Sequence, residues 1–281
     1  MSTSTTTTLN DLLPAIVAEA LFVANERSLM RGLVRNYPLG QGQGKTVTVP
    51  VYPLSTAAGL IEGTALTATA VSTNGATLTV GEVGLMTSVS DMAMVASASN
   101  VVSDIGRLFG EAIARKIDLD LTAQFANIVA GVGDATTSIS AASIFQAIAK
   151  LRASGYDTTN DCAIILHPMI AYDLKSSITS TFAAPASMVG NSALENGFIG
   201  MLAGVPVYES SNIANTGTAG DYNGALIHRD CLGLAIQSDI KIETQRQAAL
   251  RGWDIVGSAV YGAGILNGAA GQYLQFDSSI L

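Results

Sequence analysis

Residues 46–90 read TVTVPVYPLSTAAGLIEGTALTATAVSTNGATLTVGEVGLMTSVS, and only Glu62 and Glu82 are charged among them. TVTV at 46–49 and TLTV at 77–80 alternate between Thr and an apolar residue, which is typical of strands. Asn74-Gly75 tolerates positive φ at both central turn positions, which predicts a hairpin with its turn there. Because a two-stranded ribbon is marginally stable alone, something must cover it. A neighbouring subunit and a sheet of the same chain both remain open as the cover.

The composition indicates a chain that hides much of its surface. Its 281 residues are enough for about two domains. Hydrophobic residues make up 48% and charged residues 13%, against about 25% charged in typical soluble domains. Since extended ribbons add surface, burial against copies of the same chain is favoured. A net charge of −8 without any Lys/Arg cluster argues against tight nucleic-acid binding.

Neither export nor membrane insertion is indicated. Two cysteines, Cys162 and Cys231, provide no disulfide framework, and the Thr/Ser-rich residues 1–8 lack the features of a secretory signal. Residues 255–274 are uncharged and about long enough to cross a bilayer. Their five glycines and two amides fit strands and turns better than a membrane helix.

The N-terminal part predicts one amphipathic helix over residues 12–34. Asp11 is a suitable N-cap, and Pro14 is tolerated in the first turn. Arg27, Arg31 and Arg35 recur every four residues and are predicted to form one basic row. That row is either a solvated face or a contact with an acidic neighbour.

Alternating helices and strands are predicted after residue 90. A long helix runs from Ser99 or Asn100 to about Val129, and Ser140 caps a second helix that Gly155 ends. Further elements are a strand at 162–166, a helix from Pro168 to about 175–176, a strand at 205–209 answered by one at 224–228, a polar loop at 210–223, and a strand-rich block at 240–274.

Two groups of residues look like binding sites but fail on context. Residues 40–46, GQGQGKT, lack the first glycine of a P-loop, where Leu39 stands, and a strand with a proline follows instead of a helix. A zinc site would need four ligands of the Cys and His types, and the chain offers Cys162, His167, His228 and Cys231. The first pair lies five residues apart along a predicted strand, which places the side chains on opposite faces.

Catalytic residues are not predicted either. His167 and His228 have no nucleophile elbow or acid partner nearby in sequence. Asp118 and Asp120 lie two apart on the long helix, so they do not face each other and are expected to be solvated or interface charges. The sequence therefore predicts no catalytic, cofactor-binding or metal-binding residue.

Several motifs occur in a fixed order in the second half of the chain. They are AIILHP at 163–168 with a short helix after it, NGFIGMLAGVPVY at 196–208, and VYGAGILN at 260–267 within residues 253–274. Preceded by an arm, a hairpin and a long helix, this order resembles the major capsid proteins of tailed bacteriophages. The resemblance covers nearly the whole chain.

The resemblance implies an α+β fold of the Hong Kong 97 type. Its expected parts are an N-terminal arm with a helix at 1–39, an extended β-hairpin loop at 40–92, a peripheral domain at 93–160 and 240–281 with a long spine helix, and an axial domain at 161–239. Subunits of this kind assemble into hexamers and pentamers of an icosahedral head around double-stranded DNA. The implied partners are other copies, a portal protein, a separate scaffolding or cement protein, and DNA packaged without sequence-specific binding. Assembly in the host cytoplasm and a place in the virion follow.

Two sets of contact residues are predicted on this basis. Contacts between subunits are assigned to Lys45, Glu62, Asn74, Gly75, Glu82, Arg27, Arg31 and Arg35, and a loop near the capsomer axis to Ser211, Asn212, Asn215, Asp221 and Asn223. Some relatives cross-link a ribbon lysine to an asparagine. In this chain the hairpin interior has no lysine and Lys45 lies only at its base. A covalent cross-link between Lys45 and Asn267 is therefore not expected. The rival hypotheses are a nanocompartment shell of the same fold, a P-loop enzyme and a fibre subunit.

Overall fold

The computed structural model describes residues 20, 28–40, 42–52, 57, 59, 63, 73–96, 101–158, 161–181, 198–216 and 220–280. The helices in these ranges are α1 (Met30–Leu33), α2 (Asp91–Ala96), α3 (Val101–Ala123), α4 (Ala141–Ala153) and α5 (Pro168–Thr181), with 3-10 turns at Gln124–Asn127 and Gly268–Ala270. The strands are β1 (Arg35–Pro38), β2 (Thr46–Val51), β3 (Asn74–Thr79), β4 (Gly81–Ser90), β5 (Gly131–Val132), β6 (Cys162–Leu166), β7 (Phe198–Leu202), β8 (Val205–Glu209), β9 (Asp221–His228), β10 (Leu232–Gln247), β11 (Gly252–Ile265) and β12 (Gly271–Asp277).

A four-stranded sheet with the order β1-β10-β11-β4 carries the long helix α3 on one face. Alternate residues of β11, such as Ile255 and Ala259, are buried in the same core as Ile113 and Leu121 of α3. Gly257 lies between them, and a Cβ there would stand 2.6 Å from the Phe109 ring. The helix therefore packs closely on a smooth strip of the sheet.

A six-stranded sheet with the order β5-β12-β9-β6-β8-β7 is covered on both faces. All five residues of β6 are buried, as expected for a continuous apolar strand in the middle of a sheet. Ile164 and Leu166 pack with α4 and α5, whereas Ile165 faces the core that also holds α3. The prediction of a strand at 162–166 is confirmed, and the two sheets share α3 as a common wall.

The ribbon pairs its two arms as predicted, but its turn is elsewhere. β2 and β3 are antiparallel, and Asn74 and Gly75 pair with Val51 and Pro50. The turn predicted at Asn74-Gly75 is therefore wrong, because both residues lie inside β3 and the connection runs through residues 52–73. The local preference of Asn-Gly is outweighed by a register that turns Leu78 inward.

The base of the ribbon packs on its own chain. Leu78 is buried with Leu39, Val80, Ala235 and Leu266. The second arm was predicted to continue to Ser90, but β4 leaves the ribbon and pairs with β11 in the four-stranded sheet. Of the two covers that the sequence left open, a sheet of the same chain covers this base.

The N-terminal helix ends earlier than predicted. Of the predicted helix and the tip before it, residues 1–19 and 21–27, including Arg27, lie outside the described residues. Ser28 and Leu29 are not part of a helix, α1 spans only Met30–Leu33, Val34 is extended, and Arg35 begins β1. Arg31 is helical as predicted, but the predicted helical row is wrong at Arg35, because pairing of β1 with β10 overrides the helical periodicity.

The helices α3, α4 and α5 agree with the sequence except at their ends, whereas α2 (Asp91–Ala96) was not predicted. α3 becomes a 3-10 turn after Ala123 and stops at Asn127 instead of Val129, whereas α5 continues to Thr181. The Ser140 hydroxyl accepts a hydrogen bond from the Ser143 amide, which confirms the predicted cap. Gly155 has a φ of 87°, which suits a residue that ends a helix.

Sheet membership departs from the predicted boundaries at several points. The polar loop ends at Gly220, since Asp221 and Asn223 belong to β9, and β8 and β9 flank β6 instead of pairing. β10 begins at Leu232 in the four-stranded sheet, although residues up to 239 were assigned with β6–β9. β12 joins the six-stranded sheet, although it was assigned to the other domain.

Residues 255–274 form most of β11 and β12 with a 3-10 turn between them, as their glycines predicted. Within the described ranges, no helix is both long and apolar enough to cross a membrane.

Candidate assembly surfaces

The described ribbon residues predicted to contact other subunits are exposed. Lys45, Asn74, Gly75 and Glu82 all lie at the surface, and Glu62 lies outside the described residues. The Lys45 carbonyl accepts a hydrogen bond from the Val80 amide at 2.9 Å, which closes the ribbon's base. One face of the described ribbon is therefore exposed to solvent, while Val47, Val49 and Ala76 pack partly on the body.

Two arginines predicted to meet acidic neighbours find acidic partners in their own chain. Arg31 contacts both carboxylate oxygens of Asp239 at 3.3 Å, and Arg35 pairs with Asp230. Both pairs are partly exposed, so each stabilises the fold only modestly. They connect α1 and β1 to β10 and to the turn before it.

Asp118 was expected to be a solvated or interface charge, and that expectation is wrong. Its side chain is buried on the face of α3 that meets the chain just before α1. Its carboxylate accepts hydrogen bonds from the Ser28 hydroxyl at 2.7 Å and from the Leu29 and Met30 amides at 3.2 Å. Sequence periodicity missed this residue because a short carboxylate on an apolar helix face gives no signal until its donors are known.

Asp120 behaves differently from Asp118. It pairs with Lys116 one turn away and accepts a hydrogen bond from the Tyr261 hydroxyl at 2.7 Å. Burial, and then the hydrogen bond to Asp120, raises the pKa of Tyr261. The two carboxylates therefore hold different segments to α3 and do not form a catalytic pair.

The predicted capsomer-axis loop is attached to the end of α3. The Asn212 carbonyl accepts a hydrogen bond from the Thr122 hydroxyl at 2.9 Å, and Asn215 bridges to Tyr222. Ser211 is exposed, whereas Asp221 is buried in β9. Asn223, also in β9, accepts a hydrogen bond from Tyr273 at 2.6 Å.

An open cleft of about 660 Å³ separates the ribbon from the body. Its walls include Val51 and Tyr52 on the ribbon side and Tyr156 and the Arg35–Asp230 pair on the body side. Tyr52 is 65% exposed, so the ribbon side of the cleft is uncovered apolar surface.

The residues that looked like a P-loop and a zinc site in the sequence are not arranged as such sites in the structure. Gly42 and Gly44 have positive φ, but β2 follows them directly, so no helix N-terminus faces a phosphate there. In the part of the chain that the structure describes, no three His, Cys, Asp or Glu residues are grouped to hold a metal. The side-chain NH2 of Asn267 donates a hydrogen bond to the Tyr156 hydroxyl, and the side-chain carbonyl of Asn267 accepts one from the backbone amide of Ala269.

The cysteines and His167 have the properties of packed groups. Burial raises the pKa of the Cys162 thiol to about 11, with Asp157 adding to it, and burial raises that of Cys231 to about 12. Cys162 lies opposite His228 across β6 and β9. His167 stacks on Tyr222 with ring centroids 3.6 Å apart, and burial lowers its pKa.

Two sheets joined by one long helix, together with the two-stranded ribbon, make up a fold of the α+β class. The sequence model of the family described as phage capsid protein matches residues 72–274, and the chain belongs to this family. None of the curated proteins compared with the chain matches it.

Solved structures with the same fold include phage capsids and an encapsulin complex. The capsid of the cyanophage P-SCSP1u superposes with a TM-score of 0.67 at 18% identity, over 90% of this chain and 89% of that chain. A protein of Mycobacterium phage Che8 gives 0.63 at 21% identity, over 82% and 84%. The SrpI encapsulin complex of Synechococcus elongatus PCC 7942 gives 0.67 at 14% identity, over 91% and 89%. The Hong Kong 97-type fold is confirmed, and the family supports the role of a major capsid protein.

Proposed function

We propose that copies of this chain assemble into hexamers and pentamers that form an icosahedral head around double-stranded DNA. The observation that carries the proposal is the phage capsid family match over residues 72–274. Low charge content supports it, because a chain with 13% charged residues gains by covering its surface with copies of itself. The net charge of −8 fits a wall that does not hold packaged DNA tightly.

The ribbon, in this proposal, lies over the neighbouring subunit of the capsomer. Lys45, Asn74, Gly75 and Glu82 are exposed on or beside it, and the cleft behind Tyr52 leaves room for a segment of another copy. A specific interface buries about 1,600 Å² in total, and an extended ribbon supplies much of such an area. Glu62 and Arg27 are proposed contacts by sequence alone.

A second contact surface is proposed at the far end of the four-stranded sheet. The Asp91 amide donates to the Arg251 carbonyl at 2.9 Å, which brings the start of α2 beside the β10–β11 turn. Met92 and Leu250 are 76% and 71% exposed at this end. Two large apolar side chains in water favour burial against another copy.

The domain boundaries are proposed to follow the sheets. α3 and the four-stranded sheet correspond to the peripheral domain, and the six-stranded sheet with α4 and α5 to the axial domain. Ser211, Asn212 and Asn215 are retained as the candidate axis loop, with Asp221 and Asn223 supporting it from β9. Portal, scaffolding and cement proteins are proposed partners, and the host cytoplasm is the proposed place of assembly.

Electron microscopy of the expressed chain tests the assembly. We expect closed particles from the wild type and none from a variant that lacks residues 56–70. This deletion leaves β2, β3 and the buried Leu78 in place, so the body should still fold. Leu250→Lys should also prevent closure, whereas Leu250→Met, which keeps the apolar surface, should not. Intact particles from both the deletion and Leu250→Lys would contradict the assigned surfaces.

A nanocompartment shell is a second candidate, because the SrpI encapsulin complex shares the fold over 91% of this chain. The contents and diameter of native particles separate the two. A virus head contains double-stranded DNA, whereas a nanocompartment contains a protein cargo. Native particles that hold a stoichiometric enzyme and no nucleic acid would favour the second candidate.

A further inference from the structure

Asp118 joins segments that are far apart in the sequence. Its carboxylate lies on α3, and its three hydrogen-bond donors lie about ninety residues earlier, at Ser28, Leu29 and Met30. The Asn212 carbonyl accepts a hydrogen bond from the Thr122 hydroxyl one turn further along α3. Neighbouring turns of α3 therefore hold residues 28–30 and the 210–216 loop.

A second contact between α3 and the N-terminal part of the chain lies at Ala20. Gly110 of α3 faces Ala20, and a Cβ at Gly110 would stand closer than 3.0 Å to the Ala20 backbone. Ala20 and Met30 are both fully buried. α3 thus holds Ala20 by a steric contact at Gly110 and residues 28–30 by polar contacts at Asp118.

The polar contact has the requirements of a latch. A buried carboxylate is costly unless its charge is matched by donors, and three of the donors to Asp118 come from residues 28–30. If the segment lifts away, both the carboxylate and the donors need water instead. Docking of the segment and burial of Asp118 are therefore one event.

We propose that Asp118 is a latch that fixes residues 28–30 onto α3 of its own subunit before the subunit meets its neighbours. Assembly then begins with residues 28–30 already fixed on α3. The latch itself is a property of the single chain, and only its consequence for assembly rests on the proposed function.

Asp118→Asn tests the latch with almost no change in shape. One carboxylate oxygen accepts from Ser28 and Met30 and the other from Leu29. An amide keeps one acceptor and turns a donor toward the opposite side, so either Leu29 or Met30 loses its partner. We expect hydrogen exchange at one or both of these amides to accelerate at least tenfold in the unassembled full-length chain. Ser28→Ala, which keeps the carboxylate, should give a smaller acceleration.

Two controls separate a latch from a general loss of stability. Asp120→Asn lies two residues away on the same helix and should leave the Leu29 and Met30 amides unchanged. The amides of Ile164 and Ile165, fully buried in β6, should accelerate less than those of Leu29 and Met30 in Asp118→Asn, because they exchange only on global unfolding. Unchanged exchange at both Leu29 and Met30 in Asp118→Asn, or equal acceleration at Ile164 and Ile165, would overturn the proposal. Particle formation is scored separately, so a failure to form shells leaves the exchange result intact.

Discussion

Gly262 of β11 lies directly against the carbonyl of Thr79 at the end of β3, and a Cβ at Gly262 would stand closer than 3.0 Å to that oxygen. This contact seats the base of the ribbon on the four-stranded sheet. Gly262→Ala should therefore push β3 away from the body and loosen Leu78 in its buried cluster. We expect faster hydrogen exchange in β3 and fewer closed particles by microscopy.

A matched control for that substitution is Gly81→Ala at the start of β4. No atom lies within 4 Å of a Cβ at Gly81, so the same added methyl meets open space. Exchange in β3 should be unchanged in this control. Equal behaviour of the two variants would show that the Gly262–Thr79 contact does not position the ribbon.

Gly110→Ala should displace Ala20 from its contact with α3. Alanine favours a helix over glycine by about 1 kcal/mol, so α3 by itself should gain stability. The added methyl would meet the Ala20 backbone, and we expect this clash to outweigh the gain and lower the melting temperature. Gly32→Ala in α1, where a Cβ has no neighbour within 4 Å, should leave the melting temperature the same or slightly higher. A higher melting temperature for Gly110→Ala would contradict the packing.

The latch should respond to pH in a defined direction. Burial raises the pKa of the Asp118 carboxyl, even though hydrogen bonds from Ser28, Met30 and Leu29 oppose the shift. The docked carboxyl thus binds a proton more readily than the unfolded one, whose pKa is about 3.9. Lowering the pH from the raised value toward about 4 should increase the stability that this group contributes.

The Asp118 contribution is measured as the difference between wild type and Asp118→Asn in the free energy of unfolding. That difference removes the effect of carboxyls such as Asp91 and Asp134, whose pKa values are lowered by hydrogen bonds from Arg246 and Thr136. Those groups lose stabilisation as the pH falls, which is the opposite sign. A difference that stays constant between pH 7 and pH 4 would contradict the buried state of Asp118.

Tyr261→Phe should destabilise the fold by about 1 kcal/mol, the usual net contribution of one hydrogen bond. The Tyr261 ring is buried beneath α3, and its hydroxyl reaches Asp120, which keeps Lys116 and water as partners after the change. Chemical denaturation measures the loss. Tyr172→Phe, where the side chain is 55% exposed, should have no measurable effect. A loss of more than about 3 kcal/mol would indicate that Asp120 is left without a partner.

Neither cysteine should react with thiol reagents in the folded protein. Only the thiolate is reactive, and pKa values of about 11 and 12 leave very little thiolate at pH 7 for Cys162 and Cys231. Burial also blocks access to both. Mass spectrometry after maleimide treatment should show two labels in denaturant and none without it. Fast labelling of the native chain would contradict the packing of β6 or of the β9–β10 turn.

Local signals in the sequence predicted those parts of the fold that depend on local physics. Ser140 and Gly155 predicted both ends of α4, because a cap and a positive φ are properties of a few residues. The apolar run at 162–166 predicted a buried strand, and the alternation at 46–49 and 77–80 predicted the pairing of the ribbon arms. The ordered motifs led to the family.

What the sequence did not predict depends on contacts between distant segments. Asn74-Gly75 has the local preference of a turn, yet burial of Leu78 against Ala235 and Leu266 sets another register. Arg35 follows a helical period, but β1 is formed by pairing with β10 about two hundred residues later. Asp118 gave no signal because its partners, at residues 28–30, are separated from it by the ribbon and β4.

Strands from late in the chain form the centre of the four-stranded sheet and one inner position of the six-stranded sheet. β10 and β11 separate β1 from β4, and β12 joins β5 to β9. Before the codons from Leu232 onward are translated, β1 and β4 have no neighbour in the four-stranded sheet, whereas β9, β6, β8 and β7 can already pair. Polypeptides released before Leu232 by a stalled ribosome therefore lack the four-stranded sheet. Chains whose translation stops before Leu232 should therefore be unable to join the assembled shell.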